Sequence, residues 1–399
     1  MPASLRKELF ATPLDGVVTV LLITGLAAAG SRLLHWALTQ ADWAVIQANS
    51  TLFAVGRYPI EQQWRLWLLG ALLAAAAGLS WGVLRGLALP DRPTTALWPR
   101  HDRLAASLLV LLAAWAPAAL GLTLTIQSRW WGLTGLLLLV RWLAGRYGSR
   151  LGKTAPLVLP MVWPLLYLVG MVLIGGGLGL VAVGANEWGG LLLTLVQASF
   201  AILLSAPLGV LLALGRRSSL PLLRWGSVVY IEFIRGAPLI TLLFLGQNIL
   251  GFLLPGGMAP DRIWRAAWIL TFFSAAYLAE AVRSGLAAVP RGQLEAARSL
   301  GLSLPQALAK VVLPQALRIA LPATVGQFIS LLQDTTLLSL IGLLDLLGTA
   351  RSVMANPLFL GKSAEVYLTL AVLFWCCCAA LGLGSRALER RLNPPSLGR

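Results

Sequence analysis

Residues 295–314 read EAARSLGLSLPQALAKVVLP, from Glu295 to Pro314. Their spacing predicts two short helices joined by a turn. Just upstream, Pro290 suits a first helical turn. Leu294, Ala297 and Leu300 then share one helical face, with Glu295 and Arg298 elsewhere. Gly301 fits the position just past a helix end, where a left-handed backbone is cheap only for glycine. Ser303 and Gln306 form an S-x-x-Q capping box for the next helix. That helix places Leu304, Leu308, Val311 and Val312 on one face. Leu313-Pro314 is expected to end it, because proline cannot continue the backbone ladder. The stretch 285–318 is too polar to cross a bilayer. It reads as an amphipathic hairpin that docks a soluble partner, lies on lipid or covers helix ends.

Everything around the hairpin is far more apolar. Of 399 residues, 58% are hydrophobic and 12% charged, and the mean hydropathy is +0.80. Soluble domains carry roughly 25% charged residues, so the composition excludes most soluble classes and predicts an all-α integral membrane protein. Apolar runs long enough to span are expected at about 14–34, 66–84, 104–126, 130–145, 156–184, 189–214, 237–254, 266–283, 319–347 and 364–385, about ten transmembrane helices. The run at 130–145 is the weakest, being short and containing Arg141. The first run is long for a signal peptide and reads as a retained anchor.

The net charge is +16. In a soluble chain that balance would suggest nucleic acid. Here the arginines sit between apolar runs, as expected of cytoplasmic loops, and no nucleic-acid partner is expected. With ten spans and both termini cytoplasmic, most of the 31 basic residues fall on the cytoplasmic side. Arg32, Arg57, Arg65, Arg129, Arg262, Arg265, Arg351 and Lys362 fall outside or at outer helix ends. The three cysteines, Cys376 to Cys378, are adjacent within an apolar run, so plain packing is expected of them rather than a disulfide or metal site.

The chain divides near residue 186. Residues 1–186 form a membrane region of about five spans, with an outer segment at 35–65 that is too polar to cross. Residues 187–388 form a second unit, and 389–399 a cytoplasmic tail. Carboxylates reach membrane depth chiefly in the second unit, at Glu232, Glu280, Asp334 and Asp345. Charges there are costly and tend to be paired or functional.

The string at 295–314 resembles the cytoplasmic coupling loop of bacterial ABC-importer permeases. The matching positions are Glu295, Ala296, Ala297, Gly301, Val311, Leu313 and Pro314. YIEFIRGAPLI (230–240), YLAEAVRSGL (277–286), Gly292-Gln293, LPQALRIALP (313–322) and LLQDTTLLSLIGLLDLL (331–347) are similar to polar-amino-acid permeases. WAVIQAN, FAVGRYP and QQWRLW, within residues 43–67, resemble the longer permeases of general L-amino-acid uptake systems. The chain departs from the pattern at Gln327, where the family often has Asn, and at Gln333, where it often has Lys. The resemblance implies a permease core of five C-terminal spans in the bacterial inner membrane. It implies an ABC ATPase dimer as partner, a second permease subunit (heterodimer favoured, homodimer possible) and a periplasmic or extracellular amino-acid-binding protein. ATP would be bound by the partner, and no cofactor by this chain. The chain itself offers no P-loop: Gly361-Lys362-Ser363 has Asn356 where the first glycine is required.

The remaining polar residues sort by position. Gln327, Ser330, Gln333, Asp334 and Thr335 make a stripe deep in a span that either lines the translocation path or packs in the bundle. Glu280 and Arg283, spaced i, i+3, are expected to pair. Glu232 and Arg235 flank Gly236-Ala237-Pro238 as structural charges. His35 and His101 are expected in loops without metal-ligand spacing, and no metal site is expected. The rival readings are an ion-gradient-driven secondary transporter, whose carboxylates would carry protons, and an assembly or signalling protein whose hairpin docks another partner. No catalytic nucleophile or acid–base pair points to an enzyme.

Overall fold

The computed structural model describes residues 9–88, 100–119, 123–147, 155–253 and 260–392. Among these residues the regular structure is helical, and β-pairing is limited to isolated bridges. The helices are α1 (Pro13–Thr39), α2 (Trp64–Ala88), α3 (Arg100–Ala119), α4 (Leu124–Tyr147) and α5 (Ala155–Gly175). They continue with α6 (Gly190–Arg216), α7 (Pro221–Gly236), α8 (Leu239–Leu253), α9 (Arg262–Ala288) and α10 (Arg291–Ser299). Then come α11 (Leu313–Asp334), α12 (Leu346–Met354) and α13 (Ser363–Leu392). Helix covers some or most of every apolar run. The tail at 393–399 lies outside the described residues.

Several elements differ from expectation. The run 156–184 is helical only to Gly175, where the glycine run 175–177 turns the chain away. The run 237–254 is only the 15-residue α8, about 22 Å long and short of the hydrocarbon thickness. It is joined at a 107° bend to α7, so the pair is a broken span or a re-entrant loop rather than one straight helix. The run 319–347 leaves α-geometry after Asp334, continues as a 3-10 helix over Thr335–Ile341 and turns at Gly342. His35 and His101 both lie in helices, α1 and α3.

The first helices pack unevenly. Thr12 and Asp15 cap α1 reciprocally, yet only Thr19 on α1 is buried. By contrast α2 and α4 lie in backbone contact. A Cβ on Gly78 would meet the Leu137 carbonyl at 2.4 Å, and one on Gly82 the Arg141 carbonyl at 2.4 Å. This Gly-x-x-x-Gly spacing lets helices approach closely where dispersion, not water, drives association. Arg141 is 1% exposed and pairs with Asp102 of α3 at 2.5 Å, its guanidinium 4.6 Å from the Trp81 ring of α2. The apolar run that Arg141 seemed to weaken is therefore a full 24-residue helix, with its charge answered inside the bundle.

Residues 40–63 tie this region to the rest. Val45, Ile46 and Phe53, on two short helices at Ala44–Ala48 and Ser50–Val55, pack with Leu346, Ala350, Val366 and Leu370. Lys362 pairs with Asp42 at 2.9 Å, and Tyr58 Oη donates to Ile174 O at 2.9 Å. Beyond residue 190 the bundle centres on α9, against which α6 and α11 pack. Ala266, Ala267, Ala275, Ala276 and Ala279 of α9 are fully buried.

Candidate coupling face and translocation path

The segment that decides the fold is built largely as its sequence dictates. α10 ends with Leu302 N–H donating to Ala297 O (3.2 Å) and Gly301 N–H to Arg298 O (2.9 Å). That double closure requires a left-handed residue, and Gly301 supplies it at φ +83°. Ser303 and Gln306 form the expected capping box, with Ser303 N–H donating to Gln306 Oε1 at 3.1 Å. Pro290 sits one step earlier than expected, as the N-cap of α10.

Two expectations are corrected. Leu313-Pro314 does not end the second helix; it opens α11. The turn before it, Leu308–Val312, is a π-helix in which Leu313 N–H bonds to Leu308 O. This wider turn lets the chain run on into α11 although Pro314 has no N–H to donate. Leu300 does not join the face of Leu294 and Ala297. It is 84% exposed at the hairpin tip, because the α10 closure turns the chain there.

The hairpin has two sides. Its inner side is welded to the bundle: Ala297, Ala307 and Val312 are buried, and Val312 packs with Ala213, Ile231, Val282, Leu286 and Ala316, joined by partly buried Leu294, Leu308 and Leu313. Val311 is half-buried beside them. Its outer side is open. Glu295, Ala296, Leu300, Gly301, Leu304 and Pro314 are all exposed.

Behind the hairpin lies a charge cluster joining three helices. Glu280 accepts from Arg283 Nε (2.9 Å) and Nη2 (2.5 Å), as the i, i+3 spacing predicts. It also faces Arg216 of α6 and Arg235 of α7, each at 3.7 Å. Glu232 pairs with Arg216 at 3.0 Å. Arg235 lies 5.5 Å over the Tyr277 ring. One carboxylate so surrounded holds α6, α7 and α9 in register directly above the hairpin. Arg216 was legible only as a loop charge, since its partners lie 16 and 64 residues away.

The five polar residues around the end of α11 do not form one surface. Ser330 and Gln333 are exposed on one face, with Gln327 and Asp334 half-buried. Thr335 is fully buried, and its hydroxyl donates back to Leu332 O in the last turn of α11 at 2.6 Å. Asp334 has no ion-pair partner among the described residues. Asp345, which the sequence groups with it, has a plain structural duty. It caps α12 by accepting from Leu347 and Gly348 N–H. No cluster of metal-ligating side chains occurs among the described residues.

Residues 205–394 match the family described as "Binding-protein-dependent transport system inner membrane component". The inner membrane amino-acid ABC transporter permease protein YhdY of Escherichia coli (strain K12) is 33% identical, over 97% of this chain and 92% of its own. The glutamate/glutamine/aspartate/asparagine transport system permease protein BztC of Rhodobacter capsulatus is 36% identical, over 98% and 93%. A solved amino acid ABC transporter is 32% identical, covers 50% of this chain and 91% of its own, and has a TM-score of 0.45. With two relatives aligned along nearly its whole length, this chain belongs to the amino-acid ABC-transporter permeases, membrane-spanning transport subunits rather than enzymes.

Proposed function

We propose that the hairpin at 290–314 is the lever by which a separate ATPase dimer drives this permease. The observation that carries this reading is the hairpin's two-sidedness. Its inner side is fixed to α6, α9 and α11, so a push at the tip reaches the spans. Its outer rim, with Glu295, Ala296, Leu300, Gly301 and Leu304, is left for a partner. Ala297, Val311 and Leu313 serve from the inside, seating the hairpin, and Pro314, exposed in the first turn of α11, joins it to that helix. Glu280, Arg283, Arg235 and Glu232 keep the receiving helices together, and rigid-body rocking of those helices gives alternating access.

The path runs along the exposed face of α11, with Ser330, Gln333, Gln327 and Asp334 on or beside it and a second permease subunit, preferably a different one, closing it. Thr335 supports the helix break instead. ATP stays on the partner ATPase. A binding protein outside the bacterial inner membrane delivers substrate, and both termini face the cytoplasm. The name of one full-length relative, BztC, favours acidic amino acids and their amides as substrates. Uptake of labelled amino acids into proteoliposomes, with the partner subunits present, tests the reading. Uptake should require internal-face ATP and the binding protein. Gly301→Asp should abolish it while membrane insertion stays intact; unchanged uptake would sink the coupling role.

A further inference from the structure

The end of the bundle opposite the hairpin holds two guanidiniums that make no ion pair among the described residues. Arg262 and Arg265 lie one turn apart at the start of the 27-residue α9, about 40 Å along the helix from the hairpin. With Gln247, Asn248 and Ile341 they line an open cavity of about 440 Å³. Arg262 Nη2 donates to Ile341 O (2.5 Å), Arg265 Nε to Pro260 O (2.8 Å) and Arg265 Nη1 to Gln247 O (2.5 Å). Gln247 Nε2 in turn donates to Arg262 O at 2.7 Å. These bonds fix the side chains but cancel no charge. Among the described residues neither arginine has an ion-pair partner; Asp261, the N-cap of α9, adjoins Arg262 and lies one turn before Arg265 but pairs with neither. Each guanidinium has five N–H donors, so donors remain on both after the bonds to protein.

We propose that this cavity takes the carboxylate of an amino acid at the mouth of the path. The charge complement is right, because guanidiniums held in place bind carboxylates with strong charge-assisted hydrogen bonds. The volume holds one small molecule, and the amides of Gln247 and Asn248 supply polar surface beside the charges. The inference rests on the importer reading for which molecule passes, but not for its test. Anionic lipid phosphate shares the chemistry and is the alternative source of the anion.

The test uses the full chain in lipid nanodiscs and ligand-observed NMR. The probes are L-glutamine and 4-aminobutanamide, which keeps the side-chain amide and the amine but lacks the carboxylate. L-Glutamine should bind and 4-aminobutanamide should not. Arg265→Gln should weaken glutamine binding about tenfold, the scale of one lost charge-assisted hydrogen bond. Arg265→Lys, which keeps the charge, should recover part of the loss and show that the fold is intact. Equal binding of both probes overturns the proposal. So does glutamine binding unchanged in Arg265→Gln, whatever that variant does to retained anionic lipid. ATP-dependent uptake measured in parallel separates the two readings: uptake that persists while Arg265→Gln binds glutamine normally retires the site and leaves the importer standing.

Discussion

Helices α1 and α9 are both 27 residues long, and they live in opposite surroundings. α1 buries a single residue, Thr19, while α9 buries fourteen. Yet α1 is the more apolar of the two. In water that order would be reversed, since apolar surface is what burial removes from solvent. In a bilayer lipid already satisfies apolar side chains, and helices associate through close packing and polar contacts. Alanines let α9 approach its neighbours, and the arginines and Glu280 toward its ends reach polar partners. α1 leaves its leucines and valines exposed on the chain, as suits a helix that faces lipid.

The sharpest way to break this comparison is to unbalance a buried charge. Arg141→Leu should remove Asp102's buried guanidinium partner and cost about 3–5 kcal/mol, the range for removing one partner of a buried pair. The double change Arg141→Leu with Asp102→Leu should recover most of it. Thermal unfolding of the three variants in detergent measures both. Next comes close packing. A Cβ on Gly285 of α9 would lie 2.3 Å from the Ala316 carbonyl, whereas one on Gly25 of α1 meets nothing within 4 Å. Gly285→Leu should therefore destabilise by about 3 kcal/mol, and Gly25→Leu by less than about 0.5 kcal/mol. Equal effects would show that α1 is packed against protein after all.

Asp334 asks a subtler question. With no ion-pair partner among the described residues, its carboxylate holds nothing together, so Asp334→Asn should leave the unfolding midpoint unchanged. Any change in competition between labelled amino acids would then place it in the substrate path rather than in the scaffold. The smallest effect is expected at the exposed clasp between the first region and α13. Lys362 beside Asp42 holds that carboxyl below its ordinary range. A depressed carboxylate pKa stabilises above the unfolded value, and its contribution disappears as pH falls through the folded value. Lowering pH through the acid range should thus loosen residues 40–63, and Lys362→Gln should remove that pH dependence. Hydrogen exchange at the backbone of 42–48 reads it out.

Local chemistry was legible where neighbours in sequence are neighbours in space. The Gly301 turn, the Ser303–Gln306 cap and the Glu280–Arg283 pair each span six residues or fewer, and each forms as its spacing requires. Leu313-Pro314 misled because the same missing N–H that ends one helix is harmless in the first turn of another. The choice turned on a π-turn just before it, which no residue in that stretch announces. Asp102 and Arg141, 39 residues apart, were equally opaque, and an arginine within an apolar run argued against a helix that is in fact complete.

The sequence by itself determined that this protein lives in a membrane, roughly where its helices run, and the hairpin that marks its family. Those features are set by hydrophobicity and by contacts within one or two helical turns. Only the tertiary structure decided which apolar helices are packed within the bundle and which are left exposed, and which charges are paired. It alone left Arg262 and Arg265 together over an open cavity. Hydropathy cannot distinguish lipid from protein, because both are apolar, and the partner of a charge is fixed by how helices dock rather than by its place in the chain.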